Sequence, residues 1–151
     1  MIKIICVGKI KEKFFREAIS EYEKRLTKYT KLQIIEIPDE SDPSAEVCMK
    51  KESTNILKNI AEKDFVITLE IEGKKMNSVD LARKIDSLLI NNPSIAFVIG
   101  GSYGLDKSVK ERSNFALSFS DFTFPHQMFR VVLLEQIYRS FKIINNESYH
   151  K

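Results

Sequence analysis

Apolar positions along this chain follow two different rhythms, and each change of rhythm marks a new element. Ile2 to Val7 is β-branched and apolar apart from Lys3 and is closed by Gly8, which predicts a strand ending in a turn. The period then lengthens. Phe15, Ile19, Tyr22, Leu26 and Tyr29 recur at spacings of four, three, four and three, one stripe of an amphipathic helix, with Lys13, Arg16, Lys24 and Lys28 off the stripe. Gln33 to Ile37 predicts a second strand, and Pro38 with Asp39, Glu40, Ser41 and Asp42 breaks the pattern as a polar loop. Asp42-Pro43 predicts the start of another helix, Asp42 capping the free amides and Pro43 fitting the first turn, with Met49, Ile56, Leu57 and Ile60 as its apolar side. Phe65 to Ile71 and Ile95 to Ile99 are the most continuous β-type runs. The second has no polar alternation, as expected of a strand covered on both faces. With helices predicted at 78 to 91 and 106 to 113 between the strands, the class is α/β, a mainly parallel sheet with helices on both faces.

A chain of 151 residues with 43% apolar content suits one domain spanning residues 1–151. Cys6 and Cys48 form no CxxC pair and match no metal-ligand spacing, so both read as buried, reduced thiols. No apolar run approaches the length of a membrane span or a signal peptide, and the expected compartment is the cytoplasm. The net charge of +3 is uneven: residues 1 to 31 hold nine Lys/Arg against four Asp/Glu, and the remaining 120 hold fifteen against seventeen. A polyanion near the N-terminal end would explain that bias, as would an ordinary solvated helix face.

All five glycines, Gly8, Gly73, Gly100, Gly101 and Gly104, fall at or just past the carboxyl end of a predicted strand, where open parallel sheets bind ligands. The run Gly100 to Gly104 reads GGxxG, without the G-x-G-x-x-G spacing of a dinucleotide site and without a Walker lysine. His126 and His150 are 24 residues apart with no cluster of further ligands, so no metal is expected, and no G-x-S-x-G elbow supports a hydrolase. Ser118 to Pro125 combines aromatics with small hydroxyls before a helix predicted from about His126 to Ile144, a sequence suited to an aromatic-walled slot. That helix carries more apolar residues than one core would cover, which suggests a partner subunit. Arg130, Glu135 and Arg139 stand out against its apolar background, and Glu135 with Arg139 suits a helix-face ion pair.

The strings IGGSYGL, SFSDFTFPHQMFRVVLLEQIYRSFKII and ESYHK, with the opening IKIICVGKIKEKFFREAISEYEKRL and the internal TLEIEGK, resemble the bacterial ribosomal large-subunit methyltransferase H family over nearly the whole chain, residues 38 to 64 excepted. The resemblance implies the SPOUT fold with a C-terminal trefoil knot, which topology rules alone would have argued against. It also implies a homodimer with the knotted halves packed together. It implies an S-adenosyl-L-methionine pocket built from Leu69, Gly100 and the segment Phe119, Ser120, Asp121, Phe122, Thr123 and Phe124. The implied reaction moves the sulfonium methyl to N3 of a pseudouridine in 23S ribosomal RNA, on the ribosome.

That nitrogen carries a proton, so such a reaction needs a general base and an in-line approach of nitrogen and methyl carbon. No metal is needed. The candidates for proton handling and substrate contact are His126, Glu135, Arg139, Tyr149 and His150. His126 begins a helix, where the dipole disfavours its charged form; it reads either as a base or as a residue that only opens the helix. The last two lie on a tail able to fold over the cofactor or reach the other subunit. Lys9, Lys11, Lys13 and Lys24 would meet RNA phosphates, positioning the substrate without specifying it. Two rival readings are a non-catalytic ribosome-binding factor and a nucleotide-binding protein using Gly100 to Gly104 on phosphate.

Overall fold

A computed structural model describes residues 1–151. The elements are β1 (Ile2–Val7), α1 (Lys13–Leu26), β2 (Leu32–Ile37), α2 (Ala45–Lys58), β3 (Phe65–Lys75), α3 (Ser78–Asn91), β4 (Ile95–Ile99), α4 (Lys107–Arg112), β5 (Phe115–Ser118) and α5 (His126–Ile144). The five strands form one sheet in the order β2-β1-β4-β3-β5, and every pairing is parallel. This is the α/β architecture the alternating pattern predicts.

Side-chain alternation sorts the core into two layers. Ile2, Ile4 and Cys6 of β1 and Ile95, Phe97 and Ile99 of β4 point to one face, where α1, α3 and α5 supply Leu26, Ile85, Leu133 and Phe141 among others. Ile5, Val7, Ala96 and Val98 point to the opposite face, against Ile56 of α2 and Val109 of α4. The unbroken apolar run of β4 therefore conceals a period of two, with both faces covered. Each of these buried aliphatic or aromatic side chains contributes about 1.5–3 kcal/mol by leaving water.

Helix α5 is wedged between α1 and α3, which bury Leu133, Leu134, Ile137, Tyr138 and Phe141 within the chain. Tyr22 meets Tyr138 edge-on at 6.1 Å, and Tyr29 stacks on Phe141 at 5.6 Å. The apolar surplus expected of this helix is correspondingly smaller: Met128 is its one large exposed apolar side chain, with Val131 and Val132 half-buried. Neither α5 nor any other helix is long and apolar enough to cross a membrane.

Four local expectations are corrected. Strand β5 is absent from the sequence reading because its four residues are too few to show a period. Helix α2 is capped by Ser44, whose hydroxyl accepts from the Val47 amide, while Asp42 accepts from the Ser44 amide one step earlier and so organises the loop. Ile56 is buried, and Leu57 and Ile60 pack half-covered on the same layer as expected, but α2 also buries Cys48, Glu52 and Ser53, which the apolar pattern did not include. Gly73 lies inside β3 and not past its end; a Cβ there would sit 2.8 Å from the backbone of Ala116 and Leu117.

Two polar hubs close the structure at its ends. At the amino end of the sheet, buried Asp64 accepts from Lys3 Nζ at 2.7 Å, from the Ala61 amide at 2.8 Å and from the Ser94 hydroxyl. Burial alone would raise this carboxyl, but the hydrogen bonds from Lys3, Ser94 and Ala61 outweigh it and hold it below its ordinary value. At the end of α5, Asn146 adopts φ 53°, the Asn146 amide donates to Ile143 O and the Glu147 amide to Lys142 O, a Schellman arrangement with asparagine where glycine is commonest. The Glu147 carboxylate then gathers Lys142 Nζ at 2.7 Å, Tyr29 Oη at 2.8 Å and Lys28 Nζ at 3.1 Å, pinning the last turn to the turn that follows α1.

Candidate active site

A cavity of about 390 Å³ opens at the carboxyl ends of β3, β4 and β5. Its volume is that of a small-molecule site, and its wall mixes apolar side chains with hydroxyls, carboxylates and exposed backbone. Three chain segments build it.

The first is the end of β3. Leu69 pairs with Leu117 of β5, but Lys74 pairs with Leu117 again, so residues 70–73 leave the ladder as a bulge before pairing resumes. That excursion brings Glu70, Ile71 and Glu72 to the cavity wall. The second is the turn after β4, closed by the Gly104 amide donating to Gly101 O at 3.0 Å, with Gly104 at φ +83°. Gly100 packs so tightly here that a Cβ would meet Gly104 C and O at 2.9 Å. Behind the turn stands Glu52, a buried carboxyl that desolvation pushes above its ordinary value; a Cβ on Gly101 would lie 2.9 Å from its Oε2. Asp106 then caps α4 by accepting from the Ser108 hydroxyl and amide, which lower its carboxyl.

The third segment, residues 118–124, folds on itself: the Phe122 amide donates to Ser120 Oγ at 3.0 Å and the Ser118 hydroxyl to Ser120 O at 3.3 Å. Phe119 and Phe124 brace the segment against Phe129 of α5, at ring separations of 5.0 and 5.6 Å. Leu69, Gly100, Phe119, Ser120, Phe122, Thr123, Phe124 and His126 thus converge on one wall. Asp121 does not. Its carboxylate turns outward to Lys75 Nζ at 2.6 Å and is 80% exposed.

The remaining proton-handling candidates form a separate group. Glu135 Oε1 accepts from Arg139 Nη2 at 2.8 Å and from Tyr149 Oη at 3.0 Å, Arg139 Nη1 stands 3.2 Å from His150 Nδ1, and the guanidinium lies over the Tyr149 ring. Burial and the Glu135 carboxylate push the Tyr149 phenol up to about 12, so it stays a neutral donor. Within the chain this group sits apart from the cavity. His150 lines a second cavity of about 550 Å³, and Leu117 and Phe119 line both.

Sequence reasoning missed Glu70, Tyr103 and Lys110, which also line the first cavity. The carboxylates of TLEIEGK were the available signal, but only the bulge turns Glu70 toward the site. Arg130 proves to be a buried strut: Nη1 donates to Glu36 Oε2 at 2.7 Å and Nη2 to Gly8 O at 3.0 Å, while Nε has no partner. It ties the start of α5 to the ends of β1 and β2. Nearby Cys6 is pushed up to about 11 by burial, against the opposing charge of Arg130, so its thiol is inert. Lys9, Lys11, Lys13 and Lys24 are all exposed; Lys13 stands 3.7 Å from Glu17, and the Lys11 amide donates to Gln127 beside His126.

Comparison with known proteins identifies relatives of the chain. A family model described as "Predicted SPOUT methyltransferase" matches residues 1–150. Proteins of Methanococcus maripaludis and Methanococcus vannielii, each described as "Putative ribosomal RNA large subunit methyltransferase H", are 55% identical to it over 157 aligned positions, covering 99% of both chains. Among solved structures, "a probable methylase family protein from Haemophilus influenzae Rd KW20" superposes with a TM-score of 0.57 at 16% identity, over 99% of this chain and 70% of that one, a likeness of fold alone.

Proposed function

The chain belongs to the SPOUT methyltransferase family, and from that premise we propose that it uses S-adenosyl-L-methionine to methylate N3 of a pseudouridine in large-subunit ribosomal RNA. The observation that carries the reading is the convergence of Leu69, Gly100, Phe119, Ser120, Phe122, Thr123 and Phe124 on one cavity of about 390 Å³. Apolar walls from Leu69, Leu117 and Phe119 suit a ribosyl-adenine, and the folded 118–124 segment offers main-chain groups to a base edge. When bound, the donor supplies an electrophilic methyl on a positively charged sulfur.

The protein's own part is to hold the target base, exclude water and take the proton from N3. His126 lines the cavity at the first position of α5, which supports our assigning it as the proton acceptor. Glu135, Arg139, Tyr149 and His150 form a preorganised polar set that reads as a clamp on the nucleotide, completed when a second protomer brings its tail or its cavity alongside. We assign the working form as a homodimer of single-domain, C-terminally knotted subunits acting in the cytoplasm on assembled ribosomes. Exposed Lys9, Lys11, Lys13 and Lys24 supply salt-sensitive phosphate contacts.

Incubating the protein with labelled donor and ribosomes lacking the modification, then resolving RNA nucleosides by mass spectrometry, tests the reading. N3-methylpseudouridine is expected. A methylated nucleoside of another kind removes the substrate assignment, and no transfer at all removes the activity.

A further inference from the structure

The bulge of β3 fixes one carboxylate on the cavity wall in an arrangement that packing alone does not require. The Glu70 side chain is 14% exposed. Its Oε2 accepts from Thr68 Oγ1 at 2.6 Å, and Ser113 Oγ stands 2.8 Å behind that hydroxyl, so Glu70 is held from inside the sheet. Its Oε1 faces one cation of the chain, Lys110 Nζ, at 3.5 Å, on a side chain that is 44% exposed. A largely covered carboxylate whose one cationic partner is loose and half-exposed retains an attractive field for a cation entering the cavity.

On the reading of this cavity as the methyl-donor site, on which the inference rests, we propose that Glu70 distinguishes the charged donor from its spent product. The donor carries a sulfonium, an ammonium and a carboxylate, net +1. In the transfer the methyl carbon leaves sulfur for the ring nitrogen, the C–S electron pair stays on sulfur as a neutral thioether, and the nitrogen's proton goes to the base. S-adenosylhomocysteine is therefore net zero, and the pull of Glu70 on it is weaker wherever in the cavity the sulfur rests. Glu72 also lines the cavity but is exposed, so water screens it. Glu70 thus favours loading of fresh donor and release of product, a role in positioning and discrimination and not in proton transfer. Lys110 opposes it by neutralising part of its charge.

Calorimetric titration of the folded full-length protein with S-adenosylmethionine and, separately, with S-adenosylhomocysteine reads this directly. Glu70→Gln keeps an acceptor for Thr68, so it should weaken the donor about fivefold while leaving the product within about twofold. Lys110→Met, which leaves Glu70 intact, should move the ratio of the two affinities the opposite way. Equal weakening of both ligands by Glu70→Gln, or no change in the ratio in either variant, overturns the proposal. If the unmodified protein binds neither ligand, the assignment of the cavity itself has failed.

Discussion

Gly100→Ala tests whether the turn after β4 is fixed in place as tightly as its contacts imply. The added methyl would lie 2.9 Å from Gly104 C and O and 3.0 Å from Leu105 Cδ2. Ordinary carbon contact begins near 3.5 Å, so the turn must retreat by roughly 0.6 Å. Overpacking of this kind costs about 1–3 kcal/mol, and loss of the Gly104-to-Gly101 hydrogen bond adds about 1 kcal/mol, for a total of about 2–4 kcal/mol. Gly101 is backed by Glu52 and Val7, leaving no slack on that side, so the displacement goes toward the cavity. Urea unfolding should show the loss in stability, and calorimetry should show S-adenosylhomocysteine bound at least about tenfold more weakly, the equivalent of ~1.4 kcal/mol. Gly8→Ala is the control: Gly8 has φ +91° and no atom within 4 Å of the place its new methyl would occupy, so it should lose about 1–2 kcal/mol of stability with ligand affinity unchanged. A Gly100→Ala protein with wild-type stability and affinity would refute the idea of a rigid turn.

Three further outcomes follow from the C-terminal end. Lys142, Tyr29 and Lys28 together hold the Glu147 carboxyl down at about 2, below its ordinary 4.5, so its grip on the last turn is complete above pH 4.5 and is lost as pH falls through 2. Amide exchange at 145–149, corrected for intrinsic rate, should accelerate over that interval before the middle of α5 does, and should be fast already at neutral pH in Glu147→Ala; unchanged protection in that variant would show the clasp to be idle. Arg139→Ala should lower methyl transfer about tenfold or more with little shift in melting temperature, whereas similar small losses in both would reduce Arg139 to an i,i+4 partner of Glu135. Deleting Tyr149 to Lys151 should abolish turnover while light scattering still reports a dimer, and an active truncation would show the tail to be dispensable.

What the sequence revealed, and what it hid, divides along the range of the interactions. Strands β1 and β4 and helices α1, α3 and α5 were legible from a continuous β-type apolar run or from a helical stripe, and the boundaries of α3 agree with the prediction from Ser78 to Asn91. Strand β5 was not, since four residues carry no rhythm and its place beside β3 depends on a crossover. The cofactor segments were named through the family resemblance and the glycine placement. That Asp121 turns away to Lys75 while Glu70 turns in could not be read, because the first depends on an ion pair and the second on a strand pairing between residues more than forty positions apart. Arg130 was visible as an oddity in an apolar helix. Its role as a strut needed Glu36 and Gly8, which lie 94 and 122 positions away.

The position of β5 also bears on how the chain leaves the ribosome that makes it. Until residues 115–118 are synthesised, the eleven-residue β3 has one open margin, and α5, which covers one face of the sheet, does not yet exist. At about 5–20 residues per second that interval lasts on the order of one to several seconds, during which the nascent chain is a template for pairing with its neighbours on a polysome. A transcript broken before this point would yield a product that cannot seal itself, prone to aggregate and exposed to proteases, so translation has to run through β5 and α5 before the sheet becomes safe.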